Sequence, residues 1–254
     1  NKLSNLKINK KKEILYKKKS NLMNGGLYFF KKEILNYLNN KSQSLENDII
    51  PLLINKNRIS GEFIKDKKFL DIGTKKNLQL IKKNYKYFFE KFAVFLDRDG
   101  VINYDKGYTH KIKDFKFKTG VLQGLKKLYN KNYEIFIVTN QAGIAKGKYK
   151  IQDFVKLQKF IKTTLAKKNI FISDVKYCPF HPMAKIKKFR KRSNYRKPGN
   201  LMIKSIIKDR LINLNKSFMI GDKISDFKCA SKSGIKFYYT QKNFKQLILS
   251  IIRN

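Results

Sequence analysis

The chain has 254 residues, of which 42% are hydrophobic, so it can bury a core and is not disordered throughout. Its 59 basic residues against 18 acidic ones give a formal net charge of +41, which favours anionic ligands over cationic ones. Two cysteines are too few for a disulfide scaffold, and no apolar run approaches the roughly 18 residues that span a bilayer, so we expect a cytoplasmic protein without a membrane partner.

The positive charge is spread along the whole chain rather than collected in one stripe. Seven of the basic residues are Arg and the other 52 are Lys, interspersed with abundant Asn and Ile. Nucleic-acid-binding proteins usually concentrate their charge and use Arg for bidentate contacts, so a general compositional bias is favoured and nucleic acid is not the expected partner. A basic nucleic-acid-binding protein, with affinity that falls steeply with salt, stays open as an alternative.

Residues 1–88 are predicted to form a first domain, in which short apolar runs are separated by turn residues. Three motifs follow in order: MNGGLYFFKKEIL at 23–35, SLENDIIPLLI at 44–54 and FLDIGT at 69–74. Together they resemble the C-terminal portion of a sugar-phosphate nucleotidyltransferase core, a partial α/β segment. In that family the matching Asp71 would help to bind Mg²⁺. The Gly-rich nucleotide loop expected well before Asn24 is absent, so we expect Asp71 to be structural here.

Residues 89–254 are predicted to form a second domain, because apolar runs alternate there with helical periodicity, as in a parallel α/β sheet. A helix over 77–83 or slightly beyond should precede it, with the boundary between 84 and 91. Continuous apolar runs predict buried strands at residues 92–96, 134–139, 170–177, 217–220 and 235–239. Helical spacing predicts helices at 121–129, 151–165 and 202–211, and the basic, aperiodic stretch 179–198 predicts a long loop.

Two acidic residues follow directly after the first of these strands, in FAVFLDRDGVIN at 92–103. Asp97 ends the apolar run, and Asp99 comes two residues later, before Gly100. Ligands of open α/β sheets bind outside the carboxyl ends of the strands, and paired carboxylates attract a hard cation such as Mg²⁺. A calcium loop or a solvated turn is the alternative. An EF-hand, however, has its glycine at the sixth loop position, whereas Gly100 is fourth from Asp97.

Polar residues also follow two later strands. Thr139, Asn140 and Gln141 end one of them, where a hydroxyl and free N–H groups suit a phosphate oxygen but also suit a helix N-cap. Asp222, which follows another strand in FMIGDKISD, could complete the metal site. Asp226 is expected to hold the loop by hydrogen bonds instead.

These motifs form an ordered series: Asp-x-Asp, a strand-end Thr, the Lys of RKP at 196–198, then Gly-Asp with a second acid. The series resembles the haloacid-dehalogenase-like (HAD-like) phosphohydrolase superfamily, which implies a Rossmann-like parallel sheet with helices on both faces. Within it, DRDGVIN, GYT at 107–109, VTNQAGIAKG, YCPFHP, RKP and GDKISD look like the D-glycero-D-manno-heptose 1,7-bisphosphate 7-phosphatases. The related histidinol-phosphate phosphatases, which share much of this set, are the alternative enzyme.

The resemblance implies a Mg²⁺-dependent reaction through an aspartyl-phosphate. Asp97 would be the nucleophile, and Asp99 would protonate the leaving sugar oxygen and then activate the water. Thr139 and Lys197 would stabilise the transferring phosphoryl group, and Asp97, Asp222 and the backbone carbonyl of Asp99 would hold the metal. The implied substrate-binding residues are Asp105, Lys106, Gly107, Tyr108, Asn140, Gln141, Ala142, Arg196 and Lys223, with Arg196 the preferred partner of a second phosphate.

The loop at 179–198 departs from the zinc-binding relatives, which have Cys-x-His and later Cys-x-Cys before Arg-Lys-Pro. Cys178 remains here, but Phe180, Ser193 and Tyr195 take the other three positions. One ligand of four cannot build a closed tetrahedral site, so we expect no structural zinc and a loop held by packing. The adjacent His181 is expected to serve the turn.

Further expectations concern the chain as a whole. Because residue 1 is Asn, we expect a chain cut from a longer polypeptide, a fusion of nucleotidyltransferase and phosphatase in nucleotide-activated heptose synthesis. The partial first domain should then expose apolar surface that its missing half would bury. The phosphatase domain is expected to be monomeric, and its intact set of Asp, Thr and Lys argues against an inactive interaction module.

Overall fold

The computed structural model describes residues 6–16, 22, 24–39, 43–64 and 72–253. It divides the chain into two compact units, Asn1–Lys83 and Asn84–Asn254. Within the described ranges, every helix is too short or too polar to cross a membrane.

The first unit contains a small hairpin and short helical segments. Strands β1 (Leu6–Ile8) and β2 (Ile14–Tyr16) pair antiparallel. A 3₁₀ turn (Lys32–Tyr37), a π-helical turn (Leu45–Ile49) and helix α1 (Ile50–Asn55) follow. The apolar face of α1 packs on the hairpin, whereas Leu27 and Phe29 are 71% and 89% exposed. Asp71 lies outside the described residues.

Helix α2 (Lys75–Phe89) is longer than the predicted 77–83, and its backbone leaves helical geometry at Asn84. Tyr85, Phe88 and Phe89 continue the apolar spacing past the predicted end, which explains the extra turns.

The second unit is built on five parallel strands. They are β3 (Phe92–Leu96), β4 (Tyr133–Asn140), β5 (Asp174–Cys178), β6 (Phe218–Gly221) and β7 (Lys236–Tyr239), in the order β5-β4-β3-β6-β7. The helices are α3 (Val121–Asn130), α4 (Ala142–Ala145), α5 (Ile151–Ala166), α6 (Leu201–Lys208), α7 (Ile224–Lys232) and α8 (Phe244–Ile252). Short 3₁₀ turns occupy Ile112–Asp114, Lys187–Phe189 and Leu214–Lys216.

Successive residues of the central strand β3 point to opposite faces of the sheet. Val94 and Leu96 enter one apolar core with residues of α3, α5 and α8. Ala93 and Phe95 enter a second core with residues of α6 and α7. Helices therefore cover both faces, which explains why the strands read as continuous apolar runs and confirms the predicted fold class.

Some predicted boundaries differ from the structure. Strand β5 begins at Asp174 rather than 170, because its first sheet partner pair is Phe136 and Asp174. Ile170 and Ile172 are nevertheless buried in the core. They therefore extend the apolar run that predicts a strand, although they do not pair with β4. Helices α7 and α8 have no counterpart among the predicted elements. In α7 the buried apolar residues are only Cys229 and Ala230, too few to make a helical pattern visible.

Candidate active site

The candidate site lies at the carboxyl ends of β3, β4 and β6, where a cavity of about 690 Å³ opens. The cavity is lined by twelve residues predicted from the sequence: Asp97, Asp99, Asp105, Gly107, Tyr108, Thr139, Asn140, Gln141, Ala142, Arg196, Lys197 and Lys223. The carboxylate of Asp222 lies beside Asp97, whereas Lys106 is exposed outside the lining. The fold thus brings together residues from four separate stretches of the chain.

Lys197 is a buried cation that joins two buried carboxylates. Its Nζ lies 3.0 Å from Asp97 Oδ2 and 2.6 Å from Asp226 Oδ1, and it donates to the carbonyl of Val138 at 2.9 Å. Burial acts to lower the pKa of Lys197, but the two carboxylates outweigh it and the pKa is raised. Lys197 is therefore held as a permanent cation beside Asp97.

Asn140 fixes Lys197 from the backbone side. Its Nδ2 donates to the carbonyl of Lys197, and its Oδ1 accepts the N–H of Lys197, both at 3.0 Å. Because both ends of this amide are engaged by one backbone unit, Asn140 ties the end of β4 to the Arg-Lys-Pro segment.

Asp97 is buried, 5% exposed, at the end of β3. Its Oδ1 accepts the backbone N–H of Arg98 at 2.7 Å. Burial raises the pKa of Asp97 to about 6; Lys197 opposes this, while Asp226 and Asp99 add to it. The ionised carboxylate is thus destabilised relative to water, which suits a group whose negative charge is to be neutralised by a cation or consumed in a bond.

One carboxylate oxygen from each of Asp97, Asp222 and Asp226 lies within 4.8 Å of the other two. Within the part of the chain that the structure describes, Asp222 Oδ1 is buried without a hydrogen-bond partner. Burial also raises the pKa of Asp222. An unpartnered carboxylate oxygen in an all-oxygen group fits a hard cation such as Mg²⁺.

Asp226 has a different environment from the other two acids. It is fully buried, and its Oδ2 accepts the N–H groups of Asp222 and Lys223 at 3.2 and 3.1 Å. Its other oxygen contacts Lys197. Asp226 therefore holds the turn after β6 that presents Asp222.

The charges around the cavity floor also fit a divalent cation. The carboxylates of Asp97, Asp99, Asp222 and Asp226 face two buried cations, Lys197 and Arg98, and the exposed Lys223 reaches Asp222 at 4.0 Å, so the floor keeps a net negative charge. A divalent cation would balance that charge, which otherwise carries a high cost in a desolvated site.

The guanidinium of Arg98 binds the carboxylate of Asp99 through three hydrogen bonds. This role of Arg98 was not predicted from the sequence. Arg98 is fully buried; its Nε and Nη2 contact Asp99 Oδ1 at 3.1 and 2.9 Å, and Nη2 contacts Oδ2 at 2.7 Å. The same Nη2 donates to the carbonyl of Thr109 at 2.7 Å, and Asn103 Nδ2 donates to Asp99 Oδ1 at 3.0 Å. The available signal was an Arg at the end of a buried strand, in a chain that has only seven.

Cationic side chains surround the upper part of the cavity. Arg196 is half-buried, and burial lowers its pKa. Lys223 Nζ lies 3.9 Å from Asp105 and 4.0 Å from Asp222. Lys146 and His181 also line the cavity. Lys146 could not be singled out from the sequence, because it is one Lys among 52. The cavity thus combines an acidic floor with a basic rim, an arrangement that suits a metal-bound phosphate ester.

The loop at 179–198 is held by packing and hydrogen bonds. The Phe180 and Phe189 rings lie 6.2 Å apart, and Lys191 Nζ lies 4.0 Å from the centre of the Phe180 ring. The hydroxyls of Tyr195 and Ser205 are 3.1 Å apart. Two aromatic side chains, Phe180 and Tyr195, thus help to hold the loop.

Residues 91–246 match the family model described as polynucleotide kinase 3 phosphatase, and residues 10–87 match the model described as nucleotidyl transferase. The D-glycero-beta-D-manno-heptose-1,7-bisphosphate 7-phosphatase of Photorhabdus laumondii is 39% identical over 143 residues, which is 56% of this chain and 76% of that protein. The enzyme of the same name from Haemophilus ducreyi is 40% identical over 147 residues, covering 58% of this chain and 80% of that protein. Both resemblances predicted from the sequence are confirmed.

Solved structures share the fold. A HAD-like phosphatase from Mesorhizobium loti is 23% identical with a TM-score of 0.58, covering 64% of this chain and 86% of that chain. The D,D-heptose 1,7-bisphosphate phosphatase from B. bronchiseptica, complexed with magnesium and phosphate, is 22% identical with a TM-score of 0.54, covering 63% and 86%.

Proposed function

Because this chain belongs to the polynucleotide kinase 3 phosphatase family, we propose that it is a Mg²⁺-dependent phosphatase that removes the 7-phosphate of D-glycero-D-manno-heptose 1,7-bisphosphate. The observation that carries the proposal is the buried Asp97, joined to Lys197 at 3.0 Å and lying beside Asp222 at the floor of the cavity. The names of relatives about 40% identical support the heptose bisphosphate as substrate.

The first half of the proposed reaction makes a covalent enzyme intermediate. A carboxylate oxygen of Asp97 attacks the 7-phosphorus and forms a P–O bond, while the bond from phosphorus to the sugar oxygen breaks. The leaving oxygen takes its proton from the carboxyl group of Asp99. Lys197 and the hydroxyl of Thr139 stabilise the charge on the transferring phosphoryl oxygens.

The second half returns the enzyme to its starting state. Water attacks the phosphorus of the aspartyl-phosphate and passes a proton to the Asp99 carboxylate, and the bond between phosphorus and Asp97 breaks. The products are inorganic phosphate and an ionised Asp97, and Asp99 regains the proton that it gave up. The same side chain thus acts first as acid and then as base.

Asp97, Asp222 and the backbone carbonyl of Asp99 would hold the Mg²⁺, and bound Mg²⁺ supplies the positive charge that lets an anionic carboxylate approach an anionic phosphate. Arg196 would bind the second phosphate, because its half-buried guanidinium faces the cavity and matches phosphate geometry. Asp105, Gly107, Tyr108, Ala142 and Lys223 would surround the sugar.

The test is phosphate release from both anomers of the heptose bisphosphate, with histidinol phosphate in parallel. We expect Mg²⁺-dependent release from a heptose bisphosphate that falls to background with Asp97→Asn. The matched control is Asp209→Asn, which makes the same change at an exposed position after α6 and should keep full activity. Faster release from histidinol phosphate would replace the proposed substrate, and unchanged activity of Asp97→Asn would refute the mechanism.

A nucleic-acid 3′-phosphate is a second candidate substrate, favoured by the family description and by the net charge of +41. The chemistry at Asp97 would be the same, and only the group carried on the phosphate would differ. A 3′-phosphorylated oligonucleotide in the same assay decides between them: hydrolysis faster than that of the sugar, with a steep loss on adding salt, would favour it.

The proposed setting is the cytoplasm, in the synthesis of nucleotide-activated heptose for lipopolysaccharide, with the phosphatase domain acting as a monomer. Light scattering of the purified chain at micromolar concentration tests the oligomeric state.

A further inference from the structure

Tyr149 and Gln141 form a buried chain of hydrogen bonds that leads to two candidate catalytic groups. The hydroxyl of Tyr149 donates to Gln141 Oε1 at 2.6 Å. At the other end of the same amide, Nε2 donates to Thr139 Oγ1 at 3.0 Å and to Asp99 Oδ2 at 3.1 Å. One amide therefore bridges the proposed acid–base group and a proposed phosphate-binding hydroxyl.

The bond from Tyr149 decides which end of the amide faces the catalytic groups. An amide has one acceptor end and one donor end, and a flip would turn Oε1 toward the Asp99 carboxylate, oxygen against oxygen. Burial raises the pKa of Tyr149, so its hydroxyl stays protonated and remains a donor. Gln141 is 1% exposed, so water cannot easily replace the tyrosine.

The ring of Tyr149 is packed between His110 and Gly143. His110 stacks on the ring, with the centroids 4.7 Å apart and the planes 10° apart. On another side, a Cβ at Gly143 would clash with ring atoms of Tyr149. Because glycine in α4 leaves space for the ring and His110 packs against it, the hydroxyl is held in one position.

We propose that Tyr149 is a positioning residue, which acts through the amide of Gln141 to hold the carboxylate of Asp99 in place. The inference rests on the proposed function, because it needs Asp99 to act as the acid. It gives Gln141 a role in orienting the catalytic groups, whereas the sequence pointed to a contact with the substrate.

The expected kinetic signature depends on the leaving group. The constant kcat/KM covers events up to formation of the aspartyl-phosphate, where Asp99 protonates the leaving oxygen. A sugar alkoxide needs that proton, whereas p-nitrophenolate is a stable anion and needs it far less. Disturbing Asp99 should therefore slow the sugar phosphate more than the aryl phosphate, whereas general damage to the site should slow both alike.

The experiment compares Tyr149→Phe with wild type on heptose bisphosphate and on p-nitrophenyl phosphate. We expect kcat/KM to fall about fivefold to tenfold on the sugar, the range of one lost hydrogen bond, and less than about twofold on the aryl ester. Tyr133→Phe is the matched control, because it also removes a tyrosine hydroxyl. Tyr133 begins β4, the strand that carries Thr139 near its other end, and lies about 20 Å from Thr139. It should leave both constants unchanged.

Gln141→Met provides a second route to the same conclusion, since it keeps the volume and removes the amide. It should show the same selective loss, and adding Tyr149→Phe to it should cost nothing more. Equal losses on both substrates, or independent effects in the double variant, would overturn the inference and leave Tyr149 a packing residue. If wild type hydrolysed neither substrate, the proposed function itself would fail, so the two failures are distinguishable.

Discussion

Asp97→Asn is expected to abolish activity and yet stabilise the metal-free fold. Burial raises the pKa of Asp97 from 3.8 to about 6, so the folded protein binds a proton there more tightly than the unfolded chain does. A group with a raised folded pKa stabilises the fold below its unfolded pKa, and that contribution is lost as the pH rises through the folded pKa. The difference of about two pKa units corresponds to at most about 3 kcal/mol.

Asp97→Asn carries no charge at this position, so its folding free energy does not fall as the pH rises through the folded pKa of Asp97. Lys197 keeps a partner in Asp226, at 2.6 Å, so the substitution does not leave a buried cation unpaired. We therefore expect the stability advantage of Asp97→Asn to be near zero at about pH 4 and to reach about 1–3 kcal/mol at about pH 8. In thermal unfolding this is about 2–4 °C per kcal/mol for a chain of this size.

The assay is thermal or urea unfolding in EDTA at several pH values, with Asp226→Asn as a control of opposite sign. Asp226 Oδ2 accepts two backbone N–H groups and Oδ1 contacts Lys197 Nζ, so both oxygens face donors. An Asn amide has only one acceptor end, so one of these contacts is lost whichever way it turns, and this variant should lose about 1–3 kcal/mol. Adding Mg²⁺ should raise the stability of wild type more than that of Asp97→Asn, because the ligand binds only the folded state. A variant no more stable than wild type at about pH 8 would refute the account of Asp97.

Two other substitutions test the surroundings of Asp97. Gly100→Ala should raise the Mg²⁺ concentration for half-maximal activity at least about tenfold. Gly100 has a φ of +82°, and a Cβ there would clash with the Asp222 carboxylate. An unchanged Mg²⁺ titration would show that Asp222 does not bind the metal. Lys197→Met should destabilise the fold by about 3–5 kcal/mol in urea unfolding, since it leaves two buried carboxylates without their cation. A loss of activity with no loss of stability would show that this ion pair contributes little to folding.

Much of the fold could be predicted because burial on both faces of the sheet leaves a continuous apolar signature. The run from Phe92 to Leu96 is that signature, and Asp97 after it places the site at the strand end. The same apolar signature makes the predicted β5 begin too early, because Ile170 and Ile172 are buried but do not pair with β4. An apolar pattern does not predict α7, because the buried apolar residues of that helix are only Cys229 and Ala230.

The site could be predicted only where residue type and position were both distinctive. Acidic residues are few in this chain, 18 against 59 basic ones, and Asp97, Asp99 and Asp222 stood out because they follow apolar runs. Tyr149 did not, because its contact with Gln141 depends on how α4 packs beneath the ring, which no local pattern records. Lys146 was hidden by the abundance of lysine.

The covalent role of Asp97 is tested most directly by trapping the aspartyl-phosphate. The enzyme is mixed with heptose bisphosphate and Mg²⁺, quenched in acid within milliseconds and digested for mass spectrometry. We expect an addition of about 80 Da on the peptide that contains Asp97, absent from the Asp97→Asn variant. Rapid turnover with an unmodified Asp97 peptide, or with the phosphoryl group on another residue, would contradict it.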